Sequence, residues 1–495
     1  MNRQNPKNFI TGTSTIGTNA IVLTIFKVGI LAINMLMTML LSRFRTLQEY
    51  GTYSQILLVI NLFISLIMLG LPNSINYFLG RSDTLKEKQD FLSVYYSIST
   101  FLGFLIGIIL LLSIPLIEKY FKNTNIHDFY YFLAIYPWTS IISSSIENVL
   151  IAYKKIFILI TYKIINSICL LGLVLIVWRM KWSFSFYMKL YLFLSIVFAI
   201  SVYITVFEIS GGLKYIFNKK LIREIFSFSI PIGIASVIGT LNIEIDKLLI
   251  GRLMTTEQLA IYTNASKELP ITIISSSITA ILLPQLVYLI KNNKNERAVQ
   301  LWGYATELAY IIICFLVAGV FTFAKDVLTL FYSSKYLPGL SVFRVYTLVL
   351  LLRCTYFGMI LNACGKTKMI FYSSIISLIL NAFLNPCFYY LFGMTGPAIA
   401  TFFSLFIIIV LQLKLTADSM KIIFSQILPW RDLAIISLLN FFLAGFFKVI
   451  KDLTHIDMYL GNIQESIVLG IIWAIIYWLL IRKRFSKLLK YLNEN

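Results

Sequence analysis

Arg43-Phe-Arg-Thr-Leu-Gln-Glu-Tyr-Gly-Thr-Tyr-Ser-Gln55 is echoed some 210 residues further on by Arg252-Leu-Met-Thr-Thr-Glu-Gln-Leu-Ala-Ile-Tyr-Thr-Asn264. Aligned without gaps, the two stretches share Arg43/Arg252, Thr46/Thr255 and Tyr53/Tyr262, with Ser54/Thr263 and Gln55/Asn264 alike in chemistry. Each follows a long apolar segment, and the apolar segment after each carries a Leu-Pro, at Leu71-Pro72 and Leu283-Pro284. A basic turn repeats at nearly the same offset, Lys154-Lys155 and then Lys366 with Lys368. Short matches arise by chance; their agreement on one offset is what argues for an internal duplication. A parallel repeat of this kind needs an even number of crossings in each half, so that both copies enter the membrane in the same sense.

The segments around the repeat are greasy enough to cross. Hydrophobic residues make up 59% of the 495, charged residues only 13%, and mean hydropathy is +0.83. No soluble core absorbs that much apolar surface, so lipid is the solvent. Windows of about 19 residues place fourteen spans near 16–41, 54–79, 91–117, 129–151, 156–178, 185–207, 225–250, 268–290, 301–324, 340–363, 369–392, 396–416, 429–450 and 466–482. Each is expected to be helical, because amides facing hydrocarbon are satisfied only inside a helix or a closed barrel, and the alternating pattern of barrel strands is absent. The expected fold is an all-α membrane protein of two six-helix lobes related by a parallel pseudo-two-fold repeat, with two extra C-terminal helices. The divisions fall at 1–212, 213–420 and 421–495.

The formal net charge of +20 follows topology. Loops on one side, with both termini, hold 24 Lys and Arg against 11 on the other, so both termini are expected in the cytoplasm. Charge spread over many loops does not form a nucleic-acid groove. The first span reads as an uncleaved anchor. The five cysteines show no CxxC spacing and read as packing residues. His127 and His455 fall in expected outer loops and read as solvated. The soluble segments are too short to form a catalytic or nucleotide-binding domain, so neither an enzyme nor an ATP-driven pump is expected.

Asn242-Ile-Glu-Ile-Asp-Lys-Leu-Leu-Ile-Gly-Arg252, with the apolar run from Phe226 before it and Ile261-Tyr-Thr-Asn-Ala265 after it, resembles the seventh-helix signature of the polysaccharide repeat-unit flippases. These are the Wzx-type members (O-antigen and capsule) of the multidrug/oligosaccharidyl-lipid/polysaccharide exporter superfamily. Glu49-Tyr-Gly-Thr-Tyr-Ser54 and Leu69-Gly-Leu-Pro72 resemble the same family's first-loop and second-helix patterns. The resemblance implies a V-shaped pair of bundles in the bacterial cytoplasmic membrane. It would carry undecaprenyl-pyrophosphate-linked oligosaccharide from the inner to the outer leaflet by alternating access. The polysaccharide polymerase and chain-length regulator are implied partners, and Na+ or H+ is the implied coupling ion; no other cofactor is expected.

Ionisable residues within spans are costly, about 2.5–3.5 kcal/mol each on insertion scales, and therefore mark function. Lys27 lies roughly 16 Å into the first span, beyond comfortable snorkelling reach, and is expected to line a central cationic cavity with Lys267, Arg353 and Asp246. Lys267 could alternatively pair with Glu268 at the interface. Glu244 and Lys247 have the spacing of an intrahelical pair, which leaves Asp246 for the cavity or a lobe contact. Glu147 and Glu307 are isolated acids: either ion-coupling carboxylates or partners of a lysine such as Lys163. Asn381, Asn385 and Thr401 resemble the cation site of lipid II flippases, with Asn385 where that family has an acid, and a helix break at Pro386 would free carbonyls for an ion. Three alternatives stay open. They are a multidrug cation antiporter, which should favour carboxylates over Lys27, a lipid II flippase, and a membrane-embedded polysaccharide polymerase.

Overall fold

The computed structural model describes residues 16–214, 218–454 and 461–494, and every regular element among them is helical. Of the residues discussed above, His455 lies outside the described set. Among the described residues, twelve stretches are long and apolar enough to cross a membrane. One of them, Thr367–Met420, contains two helices, α16 (Thr367–Phe392) and α17 (Gly396–Met420), packed back on each other. The reversal needs a glycine: a Cβ at Gly396 would sit 2.0 Å from the Phe388 carbonyl oxygen. A further helix, α6 (Tyr130–Ala152), is outside the twelve, although the fourteen-span expectation included it.

The repeated motif starts a helix in each half, and the shared threonine is the reason. Thr46 caps α2 (Leu47–Met68): its hydroxyl accepts from the Glu49 amide at 3.1 Å, while the Glu49 carboxylate accepts from the Thr46 amide at 3.0 Å. Thr255 caps α10 (Thr256–Ala265) by the same reciprocal pair with Gln258, at 3.2 and 3.0 Å. Two amides that would otherwise lack partners are satisfied at each start.

The helices then break at different places. α2 ends where Leu69 and Gly70 turn left-handed, and α3 (Leu71–Arg81) restarts on Pro72. In the second half the break comes earlier, at 266–271, where Pro270 disfavours helix for the residue before it. There α11 (Thr272–Lys291) follows, and Pro284 sits inside it. The sequence-based break at Pro386 does not occur. α16 runs through it, although the ring removes the amide that would have reached the carbonyl of Ala382 and crowds that carbonyl.

The remaining long helices of the first half are α1 (Ile16–Phe44), α4 (Leu85–Leu112), α7 (Ile156–Arg179) and α8 (Phe184–Ser210), with a short α5 (Ile114–Phe121). In the second half α9 (Lys219–Leu253) packs on α16 and also on α2 and α3. α12 (Asn295–Thr322), the short α13 (Ala324–Tyr332) and α14 (Leu340–Val349) continue it, and a short helix α15 (Met359–Ala363) precedes α16. α18 (Trp430–Thr454) and α19 (Asn462–Glu494) flank α12.

Helices of the two halves meet closely at two levels. At the level of the repeated motif, a Cβ on Gly51 would lie 2.2 Å from the Thr256 carbonyl oxygen, so α2 and α10 touch backbone to backbone. Tyr50 donates to Asn264 at 2.8 Å across this contact. Arg43 donates to the carbonyls of Thr329 (2.9 Å) and Leu330 at the end of α13. Arg252, its counterpart in the repeat, donates to those of Lys119 (3.1 Å) and Tyr120 (3.2 Å) at the end of α5. Donor and acceptor pairs are related by the offset of the repeat. Last-turn carbonyls lack intrahelical partners and carry the negative end of the helix dipole, so a cation there contributes about 0.3–1 kcal/mol. At the second level Gly233 of α9 meets the backbone of Leu69, where a Cβ would be 2.1 Å from its carbonyl carbon.

Candidate functional site

Between these two levels lies a cavity of about 500 Å³. Its wall combines Thr38 of α1, Tyr53 and Asn61 of α2, and Asn242, Glu244 and Lys247 of α9 with the non-helical 266–271 segment. Unwinding before Pro270 is what presents Lys267 and Glu268 side by side to this space. Arg353 and Thr401 complete the opposite wall.

Three cations line the cavity and two of them are neutralised. Glu244 and Lys247 form the pair that their spacing predicts, at 2.8 Å. Glu268 does not pair with Lys267; it takes Arg353 at 2.6 Å, in a contact that closes across 85 residues of sequence. Lys267 meets a hydroxyl instead of a carboxylate, Thr38 Oγ1 at 3.0 Å. The cavity therefore keeps one positive charge without a carboxylate on it, and hydroxyls and amides fill the remaining wall. An anion with further hydrogen-bonding groups around it fits this chemistry.

Two residues expected in the cavity are elsewhere. Asp246 is 1% exposed, and its carboxylate accepts from Tyr262 at 2.8 Å and from Tyr346. Being one residue before the inward-facing Lys247, it turns about 100° away from the cavity, behind Tyr346. Lys27 lies in a separate pocket with Glu147 and Lys163. Of the two isolated acids, Glu147 pairs with both lysines, and Glu307 is tied to Arg484 of α19. Arg344 stacks on the Phe321 ring, 5.7 Å from its centroid, away from the cavity wall.

Several buried side-chain polar atoms of α9, α16 and α17 have no partner among the described residues. Asn381 donates to the Asn242 carbonyl at 3.3 Å, but its own Oδ1 has no partner among the described residues. The same holds for both side-chain polar atoms of Asn385, and for Thr401 Oγ1, Ser404 Oγ and Asn242 Oδ1. Buried polar atoms without partners cost about 1–3 kcal/mol each. Uncharged side-chain oxygens are ligands of the kind a hard cation takes. The spacing of Asn381 and Asn385 was legible in the sequence; Asn242 and Ser404 were not, since nothing local marks them.

The profile of a family described as polysaccharide biosynthesis protein matches residues 40–341. The teichuronic acid biosynthesis protein TuaB of Bacillus subtilis is 23% identical over 296 residues, 59% of this chain and 60% of its own length. The probable low-salt glycan biosynthesis flippase Agl15 of Haloferax volcanii is 22% identical over 225 residues, 44% and 48% of the two chains. The chain thus spans about half to three fifths of these curated relatives. Among solved structures, a lipid II flippase, MurJ, in an inward closed conformation matches with a TM-score of 0.72 at 17% identity, covering 94% of this chain and 99% of that one. An inward-facing multidrug resistance transporter of the MATE family matches at 0.63 with 14% identity, covering 79% and 94%. At these identities the structures establish a shared fold and nothing finer.

Proposed function

This chain belongs to the polysaccharide biosynthesis protein family, and from that premise we propose that it is a flippase for lipid-linked glycan. The substrate we propose is an undecaprenyl-pyrophosphate-linked oligosaccharide repeat unit destined for surface polysaccharide. Lys267 carries this reading: it is the cavity's cation without a carboxylate, and it is held where two halves of the molecule meet. A diphosphate would take the place beside it, and the surrounding tyrosines, asparagines and hydroxyls would receive sugar. An organic-cation antiporter would need the opposite charge at this point.

Movement follows from the two levels of contact. In our reading residues 1–212 and 213–420 rock as lobes, and 421–495 ride on the second. With both termini in the cytoplasm, the Gly51–Thr256 level faces outward and the Gly233–Leu69 level faces inward, so alternate opening would expose the cavity to each leaflet in turn. Delivery to a polymerase and its chain-length regulator in the same cytoplasmic membrane would follow.

Deleting the gene should accumulate complete lipid-linked repeat units that remain in the inner leaflet. Lys267→Gln should cut export at least tenfold at normal protein level, and Lys267→Arg should keep part of it, because a charge-assisted contact to phosphate is worth more than one order of magnitude in binding. Units found unpolymerised on the outer face after deletion would sink the flippase reading in favour of a polymerase.

We further propose Na+ as the coupling ion, held by Asp246, Asn381, Asn385 and Thr401. Sodium chloride, compared with choline chloride, should raise the thermal midpoint of the purified protein, and Asp246→Asn should remove the difference. Equal midpoints in the two salts for the unsubstituted protein would rule sodium out.

A further inference from the structure

Lys27 is the intramembrane cation that the central cavity leaves unexplained. It shares a pocket of about 260 Å³ with Glu147 and Lys163, walled by α1, α6 and α7. Glu147 bridges the two ammonium groups, with Oε1 2.7 Å from Lys27 Nζ and Oε2 3.4 Å from Lys163 Nζ. Two positive charges and one negative leave one positive charge over. The cluster is not sealed in: the three side chains are 54% (Lys27), 32% (Lys163) and 30% (Glu147) exposed. Glu147 stands five residues before the end of α6 and Lys163 seven after the start of α7, which at 1.5 Å per residue is about 8–10 Å from those helix ends. With those helix ends at the membrane surface, this is the level at which a lipid headgroup meets hydrocarbon in that leaflet.

A second observation connects this pocket to the cavity. Lys27, Leu31, Asn34 and Thr38 follow one another by four, three and four residues, so they form one stripe along α1. The first three line the Lys27 pocket, and Thr38 lines the central cavity and holds Lys267. Between Lys27 and Thr38 the helix rises about 16 Å.

We infer that Lys27 and Lys163 form a loading site for the diphosphate of a lipid-linked substrate, in which the Glu147 carboxylate occupies the anion's place until the substrate arrives. The inference rests on the reading that the chain moves an anionic lipid-linked glycan. A diphosphate brings more charge and more acceptor oxygens than one carboxylate, so it displaces Glu147 from both ammonium groups. The stripe of α1 then leads the head from this site to Lys267. Two stations of similar charge let the head leave the first without falling into a single deep well.

The test is a titration of the full-length protein in phosphatidylcholine nanodiscs with farnesyl diphosphate, and with farnesol as the uncharged comparison. Glu147→Gln removes the competing anion and should tighten diphosphate binding about tenfold, whereas Lys27→Gln and Lys163→Gln should each weaken it about tenfold. Lys163→Arg should stay near the unsubstituted value. Farnesol binding should not change in any of them. Equal or weaker binding by Glu147→Gln, or unchanged binding by Lys163→Gln, in protein with its ordinary elution and thermal midpoint, overturns the loading site. So does a tenfold loss on adding phosphatidylglycerol to the nanodisc, which would make the pocket a general anionic-lipid site. If export still depends on Lys267 while Lys163→Gln binds normally, only the loading site fails. If the unsubstituted protein binds the diphosphate no better than farnesol, the anionic-lipid reading fails with it.

Discussion

Valine in place of Gly51 is expected to hold the molecule open at the level of the repeated motif and to stop transport. The Cβ of any residue at 51 would meet the Thr256 carbonyl oxygen at 2.2 Å and its Cγ2 at 2.7 Å. Backbone of a capped helix start cannot yield as a side-chain tip can, because Thr256 directly follows the Thr255 cap. The position of the second copy that matches Gly51 is Ala260, fully buried, so both halves use small residues where the helices cross. Overpacking at such a contact costs about 1–3 kcal/mol, enough to move a two-state equilibrium roughly 5- to 150-fold. The Arg43 and Arg252 bonds to last-turn carbonyls across the contact cannot form while α2 and α10 stand apart. Export should fall at least tenfold, with alanine intermediate. A cysteine at Ser266, a buried cavity residue, in a background where the five native cysteines are serine, should react faster with an impermeant maleimide added on the motif's side. Unchanged labelling with near-normal export would show that this contact does not gate the cavity.

Arg484→Met is expected to destabilise the protein most among single changes away from the cavity. Glu307 is 1% exposed in α12, and the Arg484 guanidinium both neutralises it and reaches Asp432 of α18 at 2.5 Å. Methionine keeps the length and packing of the side chain but leaves the Glu307 carboxylate buried with no counter-charge. Breaking a buried pair in this way costs about 3–5 kcal/mol, and the low end applies because Arg484 is about one-third exposed and water reaches it. Replacing both partners, Glu307→Gln with Arg484→Met, should recover most of the loss. The measurement is the thermal midpoint in detergent for the two single variants and the double. A single variant as stable as the original, or a double variant worse than either, would show that the triad does not bind α19 to the second half. This pair also explains Glu307 without any part in ion coupling.

Much of the candidate site could be read locally, and the failures share one cause. Glu244 with Lys247 was legible because a helix brings residues three apart onto one face. The cap threonines were present in the quoted motif as Thr-x-x-Glu and Thr-x-x-Gln, and that signature would have placed both helix starts to the residue. Asp246 went astray because its partners, Tyr262 and Tyr346, lie 16 and 100 residues away. Lys267 sits beside Glu268 in sequence, yet Glu268 takes its partner from Arg353, 85 residues on, and Lys267 takes Thr38. In each case the neighbour was chosen by how helices pack, which the chain's own periodicity does not state.

By itself the sequence determined the solvent, the helical class, the duplicated motif and the set of costly charges, because hydrophobic length, capping chemistry and intramembrane ionisation are local properties. Only the tertiary structure decided which of those charges neutralise one another. Lys267 is left with a hydroxyl and no carboxylate, Arg353 and Arg484 each meet a carboxylate, and Lys27 belongs to a pocket of its own. The reason is that an ion pair in a low-dielectric interior depends on distances of a few ångströms between helices far apart in the chain.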